Sequence, residues 1–204
     1  MYIEKSRFLF IHIPKTGGIS LRNAINNREL AINYLPFHFH VLDIRLLFGD
    51  KIFSDLFKFS LVRNPWDLVV SKYFFIRKTS KNNKLKNISF SEYVKNETLF
   101  LDSFANFYNK NSLATKMYNS RESYGSQFDL ISENDNLLVR TLKLEELNDI
   151  SLIDSIGFLE LQPLRQLNKT EHTNYKDYYT SETKEIIAKR FEKDIDYFKY
   201  TFDS

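Results

Sequence analysis

The residues that could do chemistry in this chain fall into three short clusters. The first is Lys15-Thr16-Gly17-Gly18-Ile19-Ser20, which follows the apolar run Phe8 to Ile13 and Pro14. Two glycines let backbone N–H groups close on an anion. A helix opening at about Ser20 adds partial positive charge, and Lys15 adds a full one. This composition suits a phosphate or a sulfate. It is not a Walker loop, in which the lysine follows the second glycine of GxxxxGK[ST]; here Lys15 precedes Gly17 and Gly18. The second cluster is Arg63-Asn64-Pro65-Trp66-Asp67, with Ser71 further along. A guanidinium forks onto an anion, and a serine two helical turns on reaches the same groove if the helix packs alongside it. The third cluster is Phe37-His38-Phe39-His40-Val41, in which the histidines at i and i+2 share one face of an extended segment. Histidine is the side chain whose ordinary pKa lies nearest neutrality, so the pair supplies candidate bases. Of the other two histidines, His12 lies inside the first apolar run and reads as a hydrogen-bonded core residue, and His172 reads as a surface residue.

The elements that must hold these clusters alternate. The pattern predicts a strand from Arg7 to Ile13, then a helix from about Ser20 to Asn27. Phe57 to Arg63 alternates and then turns apolar, as a central strand does. Asn64-Pro65 stops it, and Pro65 suits the first turn of the next helix, which carries Trp66, Val69, Val70, Tyr73, Phe74 and Arg77 at helical spacing. Lys78 to Asn87 reads as a polar loop, Ser89 to Asn96 as a short helix and Phe100 to Tyr118 as an aromatic helical segment. Leu137 to Leu142 reads as a further strand, followed by a helix through Ile156. Thr180 to Phe198 is the clearest helix, with Ile186, Ile187, Phe191, Ile195 and Phe198 on one face. Strands alternating with helices predict an α/β fold of three layers, with a central, mainly parallel sheet flanked by helices. In such sheets ligands collect at the carboxyl ends of strands. Lys15 and Arg63 both stand there, and one nucleotide with two separate anionic groups would engage both.

Composition narrows the field. A chain of 204 residues with 43% hydrophobic and 16% aromatic content reads as one globular domain, 1–204. Its net charge of +3 gives no bulk attraction for nucleic acid, and the absence of cysteine excludes thiolate chemistry and disulfides. The run Phe8 to Ile13 is too short to span a membrane and lacks a signal-peptide layout. The carboxylates and histidines show no metal-ligand spacing. Trp66 reads as a core residue. Lys72, Arg77, Lys78, Lys81, Lys84 and Lys86 form a basic run that reads either as a surface for an anionic sugar polymer or as a solvated loop.

Ile13-Pro14-Lys15-Thr16-Gly17-Gly18-Ile19-Ser20 and Leu61-Val62-Arg63-Asn64-Pro65-Trp66-Asp67-Leu68-Val69-Val70-Ser71 together resemble the two nucleotide-binding elements of sulfotransferases that use 3′-phosphoadenosine 5′-phosphosulfate (PAPS). The wording is most similar to the carbohydrate-directed branch, which holds the heparan-sulfate 2-O- and chondroitin sulfotransferases and many small bacterial members. Leu142 to Leu147, Leu167 to Thr170, Tyr175, Tyr178-Tyr179 and Asp194 to Tyr200 are similar to later family segments. One departure is Ile19, where the family carries Thr or Ser, so a hydroxyl is lost from the sulfate cradle.

The resemblance implies a P-loop-kinase-like sulfotransferase fold and PAPS as co-substrate, with no metal. It implies that Lys15, Thr16, Gly17, Gly18, Ile19 and Ser20 hold the 5′-phosphosulfate. Arg63 and Ser71 would hold the 3′-phosphate, and Lys15 would stabilise the leaving group. A similar His-x-His-Val segment in the 2-O-sulfotransferases carries the base on its second histidine, which makes His40 the first candidate and His38 the second. The expected acceptor is a carbohydrate or glycolipid hydroxyl, and the expected setting is the bacterial cytoplasm rather than a Golgi lumen. Two other readings compete: a non-catalytic PAPS-binding module, and a nucleotide-type kinase, which the order of lysine and glycines opposes.

Overall fold

The structure is a computed structural model that describes residues 2–3, 7–24, 31–32, 39–81, 83–100, 126–147 and 172–204. Its centre is a five-stranded sheet of order β3-β1-β2-β4-β7. The strands are β1 (Tyr2–Ile3), β2 (Phe8–Ile11), β3 (Ala31–Ile32), β4 (Phe57–Val62) and β7 (Arg140–Lys143); β5 (Ser132–Glu133) and β6 (Asn136–Leu137) form a separate hairpin. β2, β4 and β7 are parallel, while β1 runs antiparallel to β2 and to β3. The sheet is thus parallel at its centre, as the alternation predicts, with an antiparallel edge that the sequence pattern did not indicate.

All four residues of β2 are buried, as are Phe59 to Val62 of β4. A strand apolar on both faces needs cover on both, and it receives it. One face carries Leu9, Ile11, Val62, Val41, Ile44 and Phe128; the other carries Phe8, Phe10, Phe59, Leu61 and Leu21. The helices are α1 (Gly18–Ala24), α2 (Val41–Phe48), α3 (Asp50–Asp55), α4 (Pro65–Thr79), α5 (Asn83–Asn87), α6 (Phe90–Lys95), α7 (Gln127–Leu130), α8 (Ser181–Arg190) and α9 (Glu192–Phe198).

Local signals explain the helix limits. Asn64 caps α4 by accepting from the Trp66 N–H at 3.0 Å, and Pro65 occupies the first turn. Ser89 and Glu92 form a capping box on α6, and Thr180 and Thr183 do so on α8. Three expectations are corrected. The expected loop of residues 78–87 contains α5. The expected strand from Leu137 to Leu142 is divided between β6 and β7. The expected single helix from Thr180 to Phe198 is two helices, because Phe191 leaves helical geometry at φ −112° and ψ 26°. The ring of Phe191 is buried against α6 and Phe100, which places the break inside the core. Residues 144–146 form a single 3-10 turn, and the rest of the helix expected through Ile156 lies outside the described residues, as does the segment from 101 to 118. No helix among the described residues is long and apolar enough to cross a membrane.

Candidate functional site

Register brings the first two clusters together. β2 and β4 pair in parallel from Phe8↔Phe57 to Ile11↔Ser60, and the Ser60 hydroxyl donates to the Ile11 carbonyl at 2.7 Å. The segments leaving their carboxyl ends, Lys15 to Ser20 and Arg63 onward, therefore emerge side by side. The Arg63 guanidinium joins them, since Nη1 donates to the Lys15 carbonyl at 2.9 Å. Nε donates to Asp67 Oδ2 at 2.9 Å, and Nη2 lies 2.8 Å from the same oxygen. The guanidinium carries further N–H groups beyond these three.

The turn itself is tightly wound. Lys15 has φ 68° and Gly17 has φ 81°, both in the left-handed region. Glycine accepts this without strain, whereas a lysine there costs on the order of 1–3 kcal/mol. The contact with Arg63 and the buried Thr16, whose hydroxyl donates to the Ile13 carbonyl at 2.9 Å, hold the strained residue in place. The Thr16 hydroxyl proton is thus committed inside the turn and is not offered to an anion there. Gly18 opens α1, and a Cβ built on it would stand 2.1 Å from Cδ2 of His12. The imidazole of His12, stacked on Phe10, is therefore packed against the backbone of the turn. Ser20 is half-buried, while Ile19 is 44% exposed beside it.

The stripe of α4 that carries Leu68, Ser71, Lys72 and Phe75 faces this turn, because the Lys15 ammonium lies 4.6 Å from the centroid of the Phe75 ring. Ser71 and Lys72 are buried on that stripe, at 3% and 1% exposure. Burial and then the charge of Arg63 lower the Lys15 ammonium to about 8. Burial and then the charge of Lys15 hold the Lys72 amine well below the ordinary lysine range. Lys15 is in electrostatic contact with Arg63 and with Lys72, and Asp67 pairs with Arg63.

A frame fixes Arg63 from behind. The side-chain amide of Gln127 accepts from the Arg63 N–H and donates to the Arg63 C=O, each at 2.8 Å. Gln127 is gripped by Asp194 of α9, which is fully buried and accepts from the N–H groups of Gln127 and Phe128 and from the Ser126 hydroxyl. Burial pushes the Asp194 carboxyl up to about 6, against these hydrogen bonds, which favour its ionised form. On the other side Glu145 accepts from the Asn64 N–H at 2.6 Å and from the Tyr200 hydroxyl at 3.2 Å. Desolvation raises the Glu145 carboxyl, opposed by the Asn64 N–H and the charge of Arg63. Asn64 also donates to the carbonyls of Thr201 and Ser204, so the last residues of the chain brace the start of α4.

The histidines are placed differently. His40 is the N-cap of α2, and its Nδ1 accepts from the Leu42 N–H at 3.1 Å. Its ring also bonds the backbone of Asp129, so Nδ1 is the acceptor and Nε2–H the donor. Burial lowers its pKa, opposed by Asp43, Asp129 and Glu133, and the ring is held as a neutral cap. His38 lies outside the described residues. His172 stacks on Phe74 at 5.4 Å, and Trp66 is a core residue whose Nε1 donates to the Lys184 carbonyl.

The structure thus brings together Lys15, Thr16, Gly17, Gly18, Arg63 and the stripe that carries Ser71. Sequence reasoning missed Gln127 and gave no role to Asp194; it set Lys72 at the head of an exposed basic run, which is corrected, since α4 buries Lys72. For Asp194 a signal existed: an acid at a core position of the stripe Ile187, Phe191, Asp194, Phe198.

No family model matches the chain. A stretch of 57 residues, 28% of the chain, is 39% identical to an uncharacterized protein of Archaeoglobus fulgidus, and it spans 45% of that relative, less than half of its length. Among solved structures the chain is similar to a crystal structure of a sulfotransferase from Alicyclobacillus acidocaldarius, at 14% identity and a TM-score of 0.45, over 93% of this chain and 92% of that one.

Proposed function

We propose that the protein is a sulfotransferase that moves the sulfuryl group of PAPS to a hydroxyl of a carbohydrate or glycolipid. The observation that carries this reading is the hydrogen bond from Arg63 to the Lys15 carbonyl, which couples the two family-like elements into one cationic site at the carboxyl ends of adjacent parallel strands. A nucleotide anionic at both its 5′ and 3′ ends matches such a site. The residues present fit that co-substrate: a lysine and backbone N–H groups for the 5′ end, and Arg63 with Ser71 for the 3′-phosphate.

In the reaction the acceptor oxygen forms a bond to sulfur as the bridging S–O bond breaks in line, and 3′-phosphoadenosine 5′-phosphate leaves. Lys15 neutralises the charge growing on the bridging oxygen, which a mobile ammonium does well in a site shielded from water. Arg63, fixed by Asp67 and Gln127, orients the nucleotide. The acceptor proton goes to a histidine, His40 first and His38 second. His40 is already neutral, as a base must be, and takes the proton on Nδ1 once that atom gives up the Leu42 N–H. The same capping role favours a second reading, a PAPS-binding module without transfer. The exposed Ile19 in the turn is consistent with that alternative.

The test is incubation with radiolabelled PAPS and a panel of glycans and glycolipids, with labelled ATP as control. The expected result is label on an acceptor, lost in Lys15→Ala. Tight PAPS binding with no transfer to any acceptor supports the binding module. Transfer from ATP and not from PAPS overturns both readings.

A further inference from the structure

The frame behind Arg63 ends on a buried acid. Asp194 of α9 is fully buried, and the groups that bond its carboxylate all arrive as donors. The Ser126 hydroxyl and the Phe128 N–H reach Oδ1 at 2.9 and 2.8 Å. The Gln127 N–H and Nε2 reach Oδ2 at 2.9 and 3.2 Å. This ring matches an ionised carboxylate, which only accepts; a carboxylic acid would have to turn one of the donors away.

The same ring orients the Gln127 amide. Its Oε1 accepts from the Arg63 N–H, and its Nε2 donates both to the Arg63 C=O and to Asp194. These three contacts fix one orientation of the amide. A proton on Oδ2 needs an acceptor, and the amide supplies one by turning over. Turned over, Nε2 meets the Arg63 N–H and Oε1 meets the Arg63 C=O, so both bonds of the clamp become like against like. The guanidinium that donates to the Lys15 carbonyl then loses its fixed origin.

Ionisable groups on the elements around Asp194 are engaged elsewhere or face solvent. From α7 and the β5–β6 hairpin, Asp129 and Asp135 pair with exposed Lys193, and Glu133 pairs with Arg45. From α8, Arg190 donates to the Val94 carbonyl, and Glu182, Glu185 and Lys189 are exposed, as are Glu192 and Asp196 of α9 itself. Tyr200 is in electrostatic contact with Asp194, and its hydroxyl donates to Glu145. Burial, opposed by the four donors, lifts the Asp194 carboxyl from 3.8 to about 6. Between these values the folded chain binds more protons than the unfolded one, so protonation of this group favours the folded state and does not unfold it.

We infer that Asp194 is a positioning residue of the nucleotide site: its ionised carboxylate sets the Gln127 amide that clamps Arg63, and uptake of a proton by Asp194 turns the amide over and frees Arg63. The nucleotide half of this rests on the donor reading of Arg63, while the relay from Asp194 to Arg63 rests on the hydrogen bonds alone.

Nuclear magnetic resonance of the free protein reads the relay without a ligand. Between about pH 8 and about pH 5 the Asp194 carboxyl carbon, the Gln127 side-chain amide and the Arg63 backbone N–H move with one midpoint. In Gln127→Met the carboxyl still titrates and the Arg63 N–H no longer follows it. The relay is overturned, with the donor reading intact, if the wild-type carboxyl stays ionised throughout, if it titrates while the Arg63 N–H stays still, or if the Arg63 N–H follows it in Gln127→Met as well. The wild-type spectra decide the first two outcomes even where the variant folds poorly. Calorimetric titration with 3′-phosphoadenosine 5′-phosphate reads the nucleotide half. Wild type binds about tenfold more tightly than Gln127→Met at about pH 8 and no more tightly at about pH 5; titration of the ligand's own phosphates is common to both proteins and cancels. A tenfold advantage that persists at the lower pH shows that the proton does not free Arg63, and the proposal falls. If the three resonances move together but the nucleotide binds both proteins alike at each pH, or binds neither, the donor reading of Arg63 fails and the relay stands.

Discussion

The side chain of Gln127 closes a two-way hydrogen-bonded pair with the backbone of Arg63, accepting from its N–H and donating to its C=O at 2.8 Å each. This pair does for the residue that follows β4 what another strand would do, in a place where the sheet has ended. It fixes the backbone from which the guanidinium reaches Asp67 and the Lys15 carbonyl. Asp194 grips Gln127 in turn, so the C-terminal helix pair is mechanically part of the frame that holds Arg63.

Replacing Gln127 with methionine keeps the volume and removes every polar contact. It leaves the Arg63 N–H and C=O and the Asp194 carboxylate short of partners, at a cost of roughly 2–5 kcal/mol in stability. Urea unfolding measures this. Binding of 3′-phosphoadenosine 5′-phosphate to the folded fraction weakens by about tenfold, because Arg63 loses its fixed origin. Unchanged affinity would show that Asp67 and Lys15 hold the guanidinium unaided.

His40 carries two assignments that a pair of variants separates. As a cap it is worth about 1 kcal/mol, and asparagine caps a helix well while alanine does not. His40→Asn therefore keeps the stability of α2, and His40→Ala lowers it. As a base His40 has no substitute, so both variants lose a hundredfold or more in turnover, on the order expected for general-base catalysis. Wild-type turnover in His40→Asn with loss in His38→Ala would move the base to His38.

The parts legible in the sequence were those specified locally. The apolar runs of β2 and β4, the Asn64-Pro65 start of α4 and the glycines of the turn each announce themselves within a few residues. Lys15 and Arg63 could be placed together because parallel strands of one sheet deliver their carboxyl ends to one edge. What the sequence did not show depends on partners far along the chain. Gln127 and Arg63 are separated by 64 residues, and Gln127 and Asp194 by 67. Nothing near Gln127 marks it as a backbone clamp. Lys72 reads as one more cation of a basic run until α4 turns it inward. The break at Phe191 was hidden because Ile187, Phe191, Ile195 and Phe198 keep an apolar period across it.

The depressed ammonium of Lys15 sets an alkaline limit. With a value of about 8 in the free protein, Lys15 loses its charge as pH rises past that point. Capture of donor, read as kcat/KM for PAPS, falls through about pH 8. Stability moves the other way. The folded value lies below the ordinary 10.5, so between these values the unfolded chain binds more protons and the folded state gains stability as pH rises. An activity loss in this window with no loss of melting temperature separates titration of Lys15 from unfolding. In Lys15→Arg the charge is permanent, and the residual activity is flat across the window. A limb that persists in Lys15→Arg assigns it to another group.

The contact between Gly18 and His12 gives a compensating pair. Gly18→Ala puts a methyl group where the His12 ring now lies, 2.1 Å from Cδ2. Both neighbours are constrained: His12 is stacked on Phe10, and Gly18 begins α1 directly after the left-handed Gly17. Overpacking of this kind costs about 1–3 kcal/mol. The strain falls on the turn that holds Lys15, so nucleotide affinity declines with stability. Shortening the ring side chain in His12→Ala makes room for the methyl. The double variant His12→Ala with Gly18→Ala is therefore more stable, and binds nucleotide more tightly, than the sum of the two single losses allows. Thermal unfolding of the four proteins in the cycle checks the first statement, and calorimetric titration with 3′-phosphoadenosine 5′-phosphate checks the second. Strict additivity would show that Gly18 is required by the backbone of the turn rather than by the histidine beside it.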